Sequence, residues 1–331
     1  MNKVRWGLLC TANINRRVIP VIRMSARGEL VAVASRSQEK ADAYAAQWEI
    51  PQTFGSYQAM LESDAVDAVY ISLPNHMHAE WSIKAMRQGK HVLCEKPMAL
   101  TLAEVDEMTA VAQQTGMKLA EAFMYRHHPQ TKIVGDWIRN GRLGEIALVR
   151  GHFSFLIEDR GDVRLVPEWG GGCLWDVGVY PLSFAQFVMG GPPQQVWGRQ
   201  WLGASGVDEI FSGQMDYGNG RIAQISSGFR VPFHTQIEII GTKGRLTLNR
   251  PFVGIEKGRQ LLFHHPDDTV EEIAVPEKEL YLGEIEDMHA AILDGQSNYL
   301  SLTETRNHVR TVLSLYKSAQ SDQIVYLKNV L

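Results

Sequence analysis

Residues 3 to about 123 alternate short apolar runs with longer segments of helical periodicity, and this alternation constrains the fold most. The runs are almost continuously apolar, which is typical of parallel strands covered on both faces. The segments between them carry apolar residues at three- and four-residue steps and end near glycine. The runs are VRWGLLC, ELVAVAS, AVYISL, HVLCE and KLAEAF. The repetition predicts βαβ units in a doubly wound parallel sheet, which binds ligands at the carboxyl ends of its strands.

The second half of the chain has a different periodicity. After a helical segment, PQTKIVGDWIRNG, several runs alternate apolar and polar residues in steps of two, among them EIALVRGHFSF, QQVWGRQWLG and FHTQIEIIG. This pattern predicts an α+β domain with a large, mainly antiparallel open sheet. Because 331 residues exceed the size at which one hydrophobic core keeps growing, we expect two domains. They are residues 1–123 and residues 124–331, with the last helix packing back on the first domain.

Charge and cysteine content argue against several classes of protein. Lys plus Arg (33) and Asp plus Glu (37) nearly cancel to a net charge of −4, so we expect no nucleic-acid or membrane partner. No apolar run approaches the roughly 18–20 residues of a membrane span, and no secretory signal is evident, so we expect a cytoplasmic protein. Cys10, Cys94 and Cys173 lack CxxC spacing, which predicts reduced, buried thiols and no metal site.

The turn after the first strand, CTANIN, is a weak version of a cofactor-binding turn. A dinucleotide-binding sheet has glycines here, because the backbone must approach a pyrophosphate at a helix N-terminus. Cys10, Ala12 and Asn15 occupy the glycine positions, and the first two are small. On local evidence alone, an ordinary βα turn is as good an interpretation. The cofactor contacts predicted in this turn are Cys10, Thr11, Ala12, Asn13 and Ile14.

The end of the second strand, ASRSQEK, bears on which dinucleotide would bind. A site for NAD usually has an acidic residue here, whereas a 2′-phosphate is better met by a hydroxyl and a guanidinium. Ser35, Arg36 and Ser37 fit the second description, with Lys40 one helical turn further on. By itself, Arg36 is more simply a solvated loop charge. With the rest of a dinucleotide site, the segment predicts NADP(H) in preference to NAD(H).

Two further strand ends carry polar side chains. In SLPNHMH, Pro74 ends the strand, Asn75 is a good helix N-cap, and the two histidines have no companion ligand at metal-binding spacing. We therefore expect a loop against the cofactor, with contacts from Leu73, Pro74, Asn75 and His78. In HVLCEKP, an ammonium follows the fifth strand at the carboxyl edge of the sheet, where a nicotinamide would lie. The predicted contacts there are Glu95, Lys96 and Pro97.

In the second half, GGGCLWDVGVYP is the segment that most resembles part of a site. Three consecutive glycines allow a loop to pass close to a ligand. Asp176 and Tyr180 are four residues apart and share a face if the segment is helical. Pro181 disfavours helix at Tyr180 unless the tyrosine lies in the first turn, with Asp176 near the N-cap. The alternative is a buried tyrosine with a structural partner.

Together these motifs resemble the Gfo/Idh/MocA oxidoreductases. The resemblance rests on RWGLLCTANI, ASRS, LPNHMHAEW and EKP in the N-terminal half, and on MYRHHPQ, GRLGEI and GGGCLWDVGVYPL beyond it. It implies an N-terminal Rossmann domain and is strongest for the dihydrodiol dehydrogenase and aldose (xylose) dehydrogenase branch. In that branch the Lys of EKP and the Tyr of DxGxY are the proposed catalytic pair, here Lys96 and Tyr180. Many relatives, such as inositol dehydrogenases, have His where Tyr180 stands.

The resemblance implies a sugar, polyol or related hydroxy or keto compound as substrate. An ammonium beside a phenol favours the phenolate, so we expect Tyr180 to act as acid/base with Lys96 as its electrostatic partner, although Lys96 itself is an alternative proton carrier. Asp176 joins them in the predicted catalytic set. The predicted substrate contacts are Arg126, His127, His128, Asp176 and Tyr180, with Arg126 alternatively structural.

Two other functions stay open from the sequence. One is a glycosidase that uses bound NAD transiently and shows no net turnover of the cofactor. The other is a non-catalytic dinucleotide-binding sensor, in which Lys96 and Tyr180 could be replaced without loss of function. The resemblance also implies a homodimer or homotetramer, assembled through the C-terminal sheet.

Overall fold

The first half of the chain forms a six-stranded parallel sheet. A computed structural model describes residues 3–253 and 259–330. The sheet order is β3-β2-β1-β4-β5-β6, so the strand order reverses between β1 and β4. The strands are β1 (Val4–Leu9), β2 (Gly28–Ala34), β3 (Gln52–Phe54), β4 (Ala68–Ile71), β5 (His91–Glu95) and β6 (Leu119–Ala122). This arrangement confirms the predicted doubly wound sheet, and ligands of such sheets bind where the order reverses.

Helices connect these strands, and their ends follow from local sequence. They are α1 (Asn15–Met24), α2 (Gln38–Trp48), α3 (Tyr57–Leu61), α4 (His78–Arg87) and α5 (Leu102–Thr115). Thr101 and Glu104 form a capping box at the start of α5, and Gly116 ends it in the left-handed conformation. β3 and α3 are too short to have a clear periodicity, and the sequence did not predict α3.

The second half forms a nine-stranded, mainly antiparallel sheet, as predicted. Its order is β14-β13-β12-β11-β7-β10-β9-β8-β15, and among the described residues only β7 and β10 pair in parallel. The strands are β7 (Ile146–Ser154), β8 (Gln195–Leu202), β9 (Asp208–Asp216), β10 (Ile222–Gly228), β11 (His234–Gly241), β12 (Gly244–Asn249), β13 (Gln260–His264), β14 (Val270–Glu272) and β15 (Val325–Tyr326). The helices of this half are α6 (Pro129–Arg139), α7 (Val179–Met189), α8 (Leu282–Leu293) and α9 (Leu302–Ser321). The sequence did not predict β13, β14 or α8.

The chain divides into two compact units that do not follow chain order strictly. The first is Met1–His127 with Glu279–Thr305, and the second is His128–Lys278 with Arg306–Leu331. α8 belongs to the first unit because its apolar face is buried there and His289 accepts a hydrogen bond from Trp6 Nε1 (2.9 Å). The sequence placed one boundary between residues 123 and 124. That boundary, and the packing of the last helix on the first domain, stay predictions. Within the described residues, no helix is long and apolar enough to cross a membrane.

Candidate active site

The predicted cofactor residues of the first unit follow four strands of one parallel sheet. Cys10 follows β1, Ser35 follows β2, Leu73 is the second residue after β4 and Lys96 follows β5. Because parallel strands end at the same edge, these segments meet at the carboxyl edge of the sheet, on both sides of the point where strand order reverses. The sequence identified this edge without any knowledge of the strand order.

Cys10 has a backbone conformation that normally requires glycine. Its φ is +143°, and such values are strained for a residue with a Cβ. The strain is held by a network: Asn15 donates to the Cys10 carbonyl (2.8 Å), Ser72 Oγ donates to Asn15 Oδ1 (2.8 Å), and Cys10 Sγ contacts the Ser72 carbonyl (3.1 Å). The conformation is that expected of the first glycine of a phosphate-binding turn. The thiol is half-buried, not buried as predicted, because this turn lies at the sheet edge.

The N-terminus of α1 has the form of an anion site. Thr11 and Ala12 are in the loop, Asn13 and Ile14 form a turn, and the helix begins at Asn15. No side chain caps this end, and the first three N–H groups of the helix donate to backbone carbonyls of the turn, with distances of 3.1, 3.3 and 2.8 Å. These residues fit the pyrophosphate of a dinucleotide, which helix N-termini bind through their N–H groups and dipole.

The end of β2 has a basic character and no acidic side chain before α2. Ser35 is buried, whereas the side chains of Arg36 and Lys40 are exposed. Ser37 is the N-cap of α2, and its hydroxyl accepts the Lys40 backbone N–H (3.3 Å). An exposed guanidinium beside two serines fits a 2′-phosphate.

The segment after β4 differs from expectation at Asn75. It is not a helix N-cap: Asn75–Met77 form a 3₁₀ turn, and α4 begins at His78. His78 is buried, with Nδ1 2.8 Å from the Pro97 carbonyl and Nε2 2.7 Å from the Leu73 carbonyl. Burial lowers the pKa of His78. The ring therefore ties the loop after β4 to the loop after β5, and its predicted role against the cofactor stays a prediction.

The residues of the EKP segment lie among further polar groups of the first unit. Glu95 accepts a short hydrogen bond from Tyr70 Oη, and its other oxygen accepts the Lys96 backbone N–H (3.2 Å). The Lys96–Pro97 peptide bond is cis. Burial, followed by the charge of Glu95, raises the pKa of Tyr70 well above its ordinary value. Tyr70 stays protonated and acts as a fixed donor to Glu95.

Glu284 of α8 is a buried carboxyl that the sequence did not single out. Both of its oxygens are buried without a hydrogen-bond partner among the described residues. Burial and then the charge of Glu95 raise its pKa well above the ordinary value, which favours the neutral form of this carboxyl. No motif marks it, because α8 lies far along the chain from β5.

The three consecutive residues predicted to bind substrate are all buried. Arg126 pairs with Glu304 (3.0 Å), and its guanidinium lies over the Tyr299 ring. His127 packs against the same ring, with centroids 5.4 Å apart. His128 caps α6 by accepting the Gln130 N–H (3.1 Å). Burial and the Arg259 charge lower the pKa of His128 to about 4, so it is neutral. Each has a structural partner, and the substrate contacts stay predictions.

The segment carrying Asp176 and Tyr180 is helical but not regular. Leu174–Gly178 form a π-helical turn, which we call the π turn, and α7 follows directly. Asp176 lies in the first turn of the π-helical segment, three residues after its N-cap residue Cys173, and Tyr180 is the second residue of α7, so the regular α-helix begins only just before Pro181. Pro181 explains this, because its ring would clash with the carbonyl four residues back in a regular α-helix. π turns of this kind are frequent at functional sites.

The side chains of this segment are held firmly within the second unit. Asp176 accepts from Arg164 Nε (2.8 Å), so its carboxylate is ion-paired. The Tyr180 ring is buried against Phe153 and Phe252, with centroids 5.5 Å and 5.4 Å away, and these two rings stack on each other. Tyr180 belongs to the second unit and Lys96 to the first. Their assignment as a catalytic pair stays a prediction.

Three functional candidates in the second unit escaped the sequence. Arg164 pairs with Asp176 from a loop without regular periodicity. Asp208 and Tyr316 form a buried cluster with Cys173, described below. Within the described residues, no group of three or more His, Cys, Asp or Glu side chains is arranged to hold a metal.

Comparison with known families accounts for both halves of the chain. Residues 4–123 match the oxidoreductase family with an NAD-binding Rossmann fold, and residues 132–247 match the GFO/IDH/MocA C-terminal domain. The chain is 34% identical to D-xylose 1-dehydrogenase (NADP(+)) 2 of Haloferax volcanii, covering 97% of this chain and 99% of the relative. It is 30% identical to trans-1,2-dihydrobenzene-1,2-diol dehydrogenase of Xenopus laevis, covering 80% and 82%.

A solved structure has the same fold. A 3-ketoreductase from Actinomadura kijaniata, crystallised with NADP and TDP-benzene, superposes with a TM-score of 0.90 at 30% identity. The match covers 96% of this chain and 98% of that one.

Proposed function

The chain belongs to the Gfo/Idh/MocA oxidoreductase family, and we propose that it transfers hydride between NADP(H) and a carbon of a sugar, polyol or related compound. Membership confirms the prediction of an NAD(P)-dependent dehydrogenase or reductase. The predicted preference for NADP(H) is confirmed at the level of the relatives, since the xylose dehydrogenase is named for NADP(+) and the 3-ketoreductase was crystallised with NADP.

One observation carries the cofactor half of the proposal. Along one sheet edge, Cys10 has a backbone conformation typical of glycine beside a helix N-terminus without a side-chain cap, and an exposed Arg36 lies two residues after the end of β2. The first feature fits a pyrophosphate and the second a 2′-phosphate. A turn without a ligand has no need of the backbone strain at Cys10.

The chemical half of the proposal rests on Tyr180 and Lys96. NADP(H), when bound, supplies the hydride chemistry, and the protein must exchange a proton with the substrate oxygen. We assign that exchange to Tyr180 Oη, because the ring is held against the stacked pair Phe153 and Phe252. We assign Lys96 as the cation that favours the phenolate and positions the oxygen. Asp176, held by Arg164, is the proposed contact to a neighbouring hydroxyl.

The second-unit sheet is the proposed surface for assembly into a homodimer or homotetramer. Trp197, Trp201 and Ile210 are exposed on its neighbouring strands β8 and β9. Exposed large apolar side chains on one face are typical of an interface. Light scattering of the purified protein tests this, and a monomer at micromolar concentration would contradict it. Location in the cytoplasm stays a prediction.

The test of the function is the absorbance of NADPH with a panel of compounds. We expect net reduction of NADP(+) by an aldose or a dihydrodiol, or net oxidation of NADPH by a keto-sugar, with weaker activity on NAD(H). Tight cofactor binding with hydrolysis of glycosides and no net NADPH turnover would favour the glycosidase. Cofactor binding with no turnover of any kind would favour the sensor.

A further inference from the structure

The carboxyl group of Asp208 binds the start of the helical segment that leads to Tyr180. Asp208 is the first residue of β9 and is 2% exposed. Its Oδ2 accepts the Leu174 backbone N–H (2.8 Å) and lies 3.1 Å from the Cys173 Sγ donor. Its Oδ1 accepts the Tyr316 hydroxyl (2.7 Å). One buried carboxyl thus joins three elements: β9, α9 and the beginning of the π turn.

The Leu174 contact fills a need that the local sequence leaves open. The first N–H groups of a helix have no partner within the helix, and no nearby side chain caps this one. Asp208 supplies the acceptor from a strand 34 positions further along the chain. A negative charge at a helix N-terminus is also favourable to the helix dipole.

The backbone and the neighbouring rings are shaped around this contact. Gly172 has φ +121°, and a Cβ there would collide with Asp208 Oδ1. The Tyr316 ring packs between Trp175 of the π turn (6.1 Å between centroids) and Phe211 of β9 (5.7 Å). The cluster therefore fixes both where the π turn begins and how its first residues are oriented.

We infer that Asp208 is a positioning residue for the reaction, because it sets the register and direction of the segment that carries Asp176 and Tyr180. The inference rests on the proposed function, in which Tyr180 exchanges the proton. An ionised carboxylate only accepts hydrogen bonds, so it can satisfy all three donors at once, whereas a protonated carboxyl competes with them.

The ionisation of Asp208 makes the inference testable by pH. Burial raises its pKa to about 6, against the opposing effect of the three donors. The titratable groups facing it are Cys173 and Tyr316, and burial raises the pKa of both well above ordinary values, so both stay neutral. Asp176, whose charge also acts on Cys173, is paired with Arg164. Asp208 is thus the group of this cluster that titrates near pH 6.

The experiment compares Tyr316→Phe with Ser318→Ala in the full-length protein. In the wild-type protein kcat should fall below about pH 6, as Asp208 becomes protonated, and this fall is the acidic limb of the kcat profile. Tyr316→Phe removes one donor to Asp208 and so raises its pKa. The acidic limb should therefore move to higher pH by up to about one unit. Ser318 lies on the same helix, accepts the Gly198 N–H (3.0 Å) and donates to the Gln323 carbonyl. Ser318→Ala therefore removes buried hydrogen bonds of α9 without touching Asp208, and should leave the limb in place.

A second variant, Asp208→Asn, tests the carboxylate itself. We expect kcat to fall by roughly tenfold to a hundredfold, since small misplacements of a reacting group have effects of this size. The acidic limb should disappear, and the NADPH Kd should be unchanged. Hydrogen exchange of residues 172–180 should quicken more than that of the strands of the nine-stranded sheet. An unshifted limb in Tyr316→Phe, or wild-type kcat in Asp208→Asn, would overturn the inference.

Different measurements test this inference and the proposed function, so either can be rejected without the other. If the wild-type protein turns over no compound with NADP(H), the proposed function fails. Hydrogen exchange of residues 172–180 needs no substrate, and unchanged exchange in Asp208→Asn would then overturn the positioning role on its own.

Discussion

The two compact units each bury a carboxyl group beside residues proposed to act in the reaction, and they surround it in opposite ways. Asp208 in the second unit accepts from three donors, and its pKa is about 6. Glu284 in the first unit has no hydrogen-bond partner among the described residues, and its pKa is raised well above ordinary. Both are buried, so the difference comes from their neighbours: donors oppose the effect of burial at Asp208, whereas the charge of Glu95 adds to the effect of burial at Glu284. Burial without donors favours the neutral carboxyl, whereas burial with donors leaves it able to ionise near neutral pH.

This contrast separates two ways of building a site. The first unit places its polar residues at strand ends, where the parallel sheet gathers them. The second unit places Tyr180 on an irregular helix that a distant carboxylate holds. We therefore expect changes in the first unit, except at Lys96, to affect cofactor affinity and changes in the second to affect turnover.

The largest effect should come from Tyr180→Phe. It removes the proposed proton carrier and keeps the ring in its aromatic surroundings, so kcat should fall by roughly a hundredfold to ten-thousandfold. The NADPH Kd, measured by fluorescence titration, should stay at the wild-type value. Turnover close to wild type would show that the proton exchange takes place outside the second unit. It would contradict the proposed difference between the two units.

The next effect is on stability as a function of pH. The folded-state pKa of Asp208 is raised from 3.8 to about 6, so its contribution to stability is complete below about pH 4 and is lost as the pH rises through 6. Relative to Asp208→Asn, wild-type unfolding free energy should fall by about 3 kcal/mol across this range, since one pKa unit is about 1.4 kcal/mol. Denaturant titrations at the two ends of the range measure it. A difference between the two proteins that does not change with pH would refute the assignment.

The activity of the enzyme should rise over the same pH range in which this contribution to stability is lost. The ionised form of Asp208 holds the π turn through three accepted bonds, yet burial disfavours that form. Ionisation of Asp208 therefore lowers the free energy of unfolding and at the same time fixes the geometry at the start of the helical segment.

Replacing the two carboxyl groups at neutral pH should change the free energy of unfolding in opposite directions. Glu284→Met removes a buried polar group without partners, and should raise the free energy of unfolding by about 1–2 kcal/mol. Asp208→Leu leaves the Leu174 N–H and the Tyr316 hydroxyl buried without an acceptor, and should lower it by about 2–3 kcal/mol. Urea denaturation of the two variants side by side is the measurement. Destabilisation by both would show that Glu284 has a partner of its own in solution.

The smallest of the effects concerns the cofactor alone. Arg36→Ala removes an exposed guanidinium at the end of β2, so the Kd of NADPH should rise about tenfold, by roughly 1.4 kcal/mol. NADH, which lacks the 2′-phosphate, should bind as before, and kcat at saturating NADPH should not change. Lys40→Ala is the matched control on the next helical turn, with a weaker expected effect. Equal loss of both cofactors would argue against a 2′-phosphate contact.

The sequence predicted the first unit well because its signals are local. A parallel strand is apolar along its whole length, and the residue after it necessarily lies at the sheet edge. This logic located Cys10, Arg36 and Lys96 without coordinates. The large antiparallel sheet was predicted for a similar reason, since its period of two is visible within each strand.

What the sequence could not predict depends on contacts between distant residues. Asp208 is 108 positions from Tyr316, and nothing in GVDEIF marks it as different from any acid at a strand start. Glu284 lies on a helix that returns to the first unit after strands β7 to β14 of the second sheet. The sequence predicted the irregular turn before Tyr180 only in part. Pro181 indicated that a regular helix could not simply continue, but not that the chain would form a π-helical turn.

The π turn contains one residue more than a regular α-helical turn, so deletion of a residue there would change the direction of Tyr180. An α-helix advances by about 100° per residue, so deleting any one residue from Leu174–Gly178 could close the turn into regular helix while rotating Tyr180 by about that angle against Cys173. The protein would keep its composition, its core and its hydrogen-bonded ends. Among homologous sequences, a gap of one at this place should mark lineages whose tyrosine faces elsewhere and whose chemistry has moved.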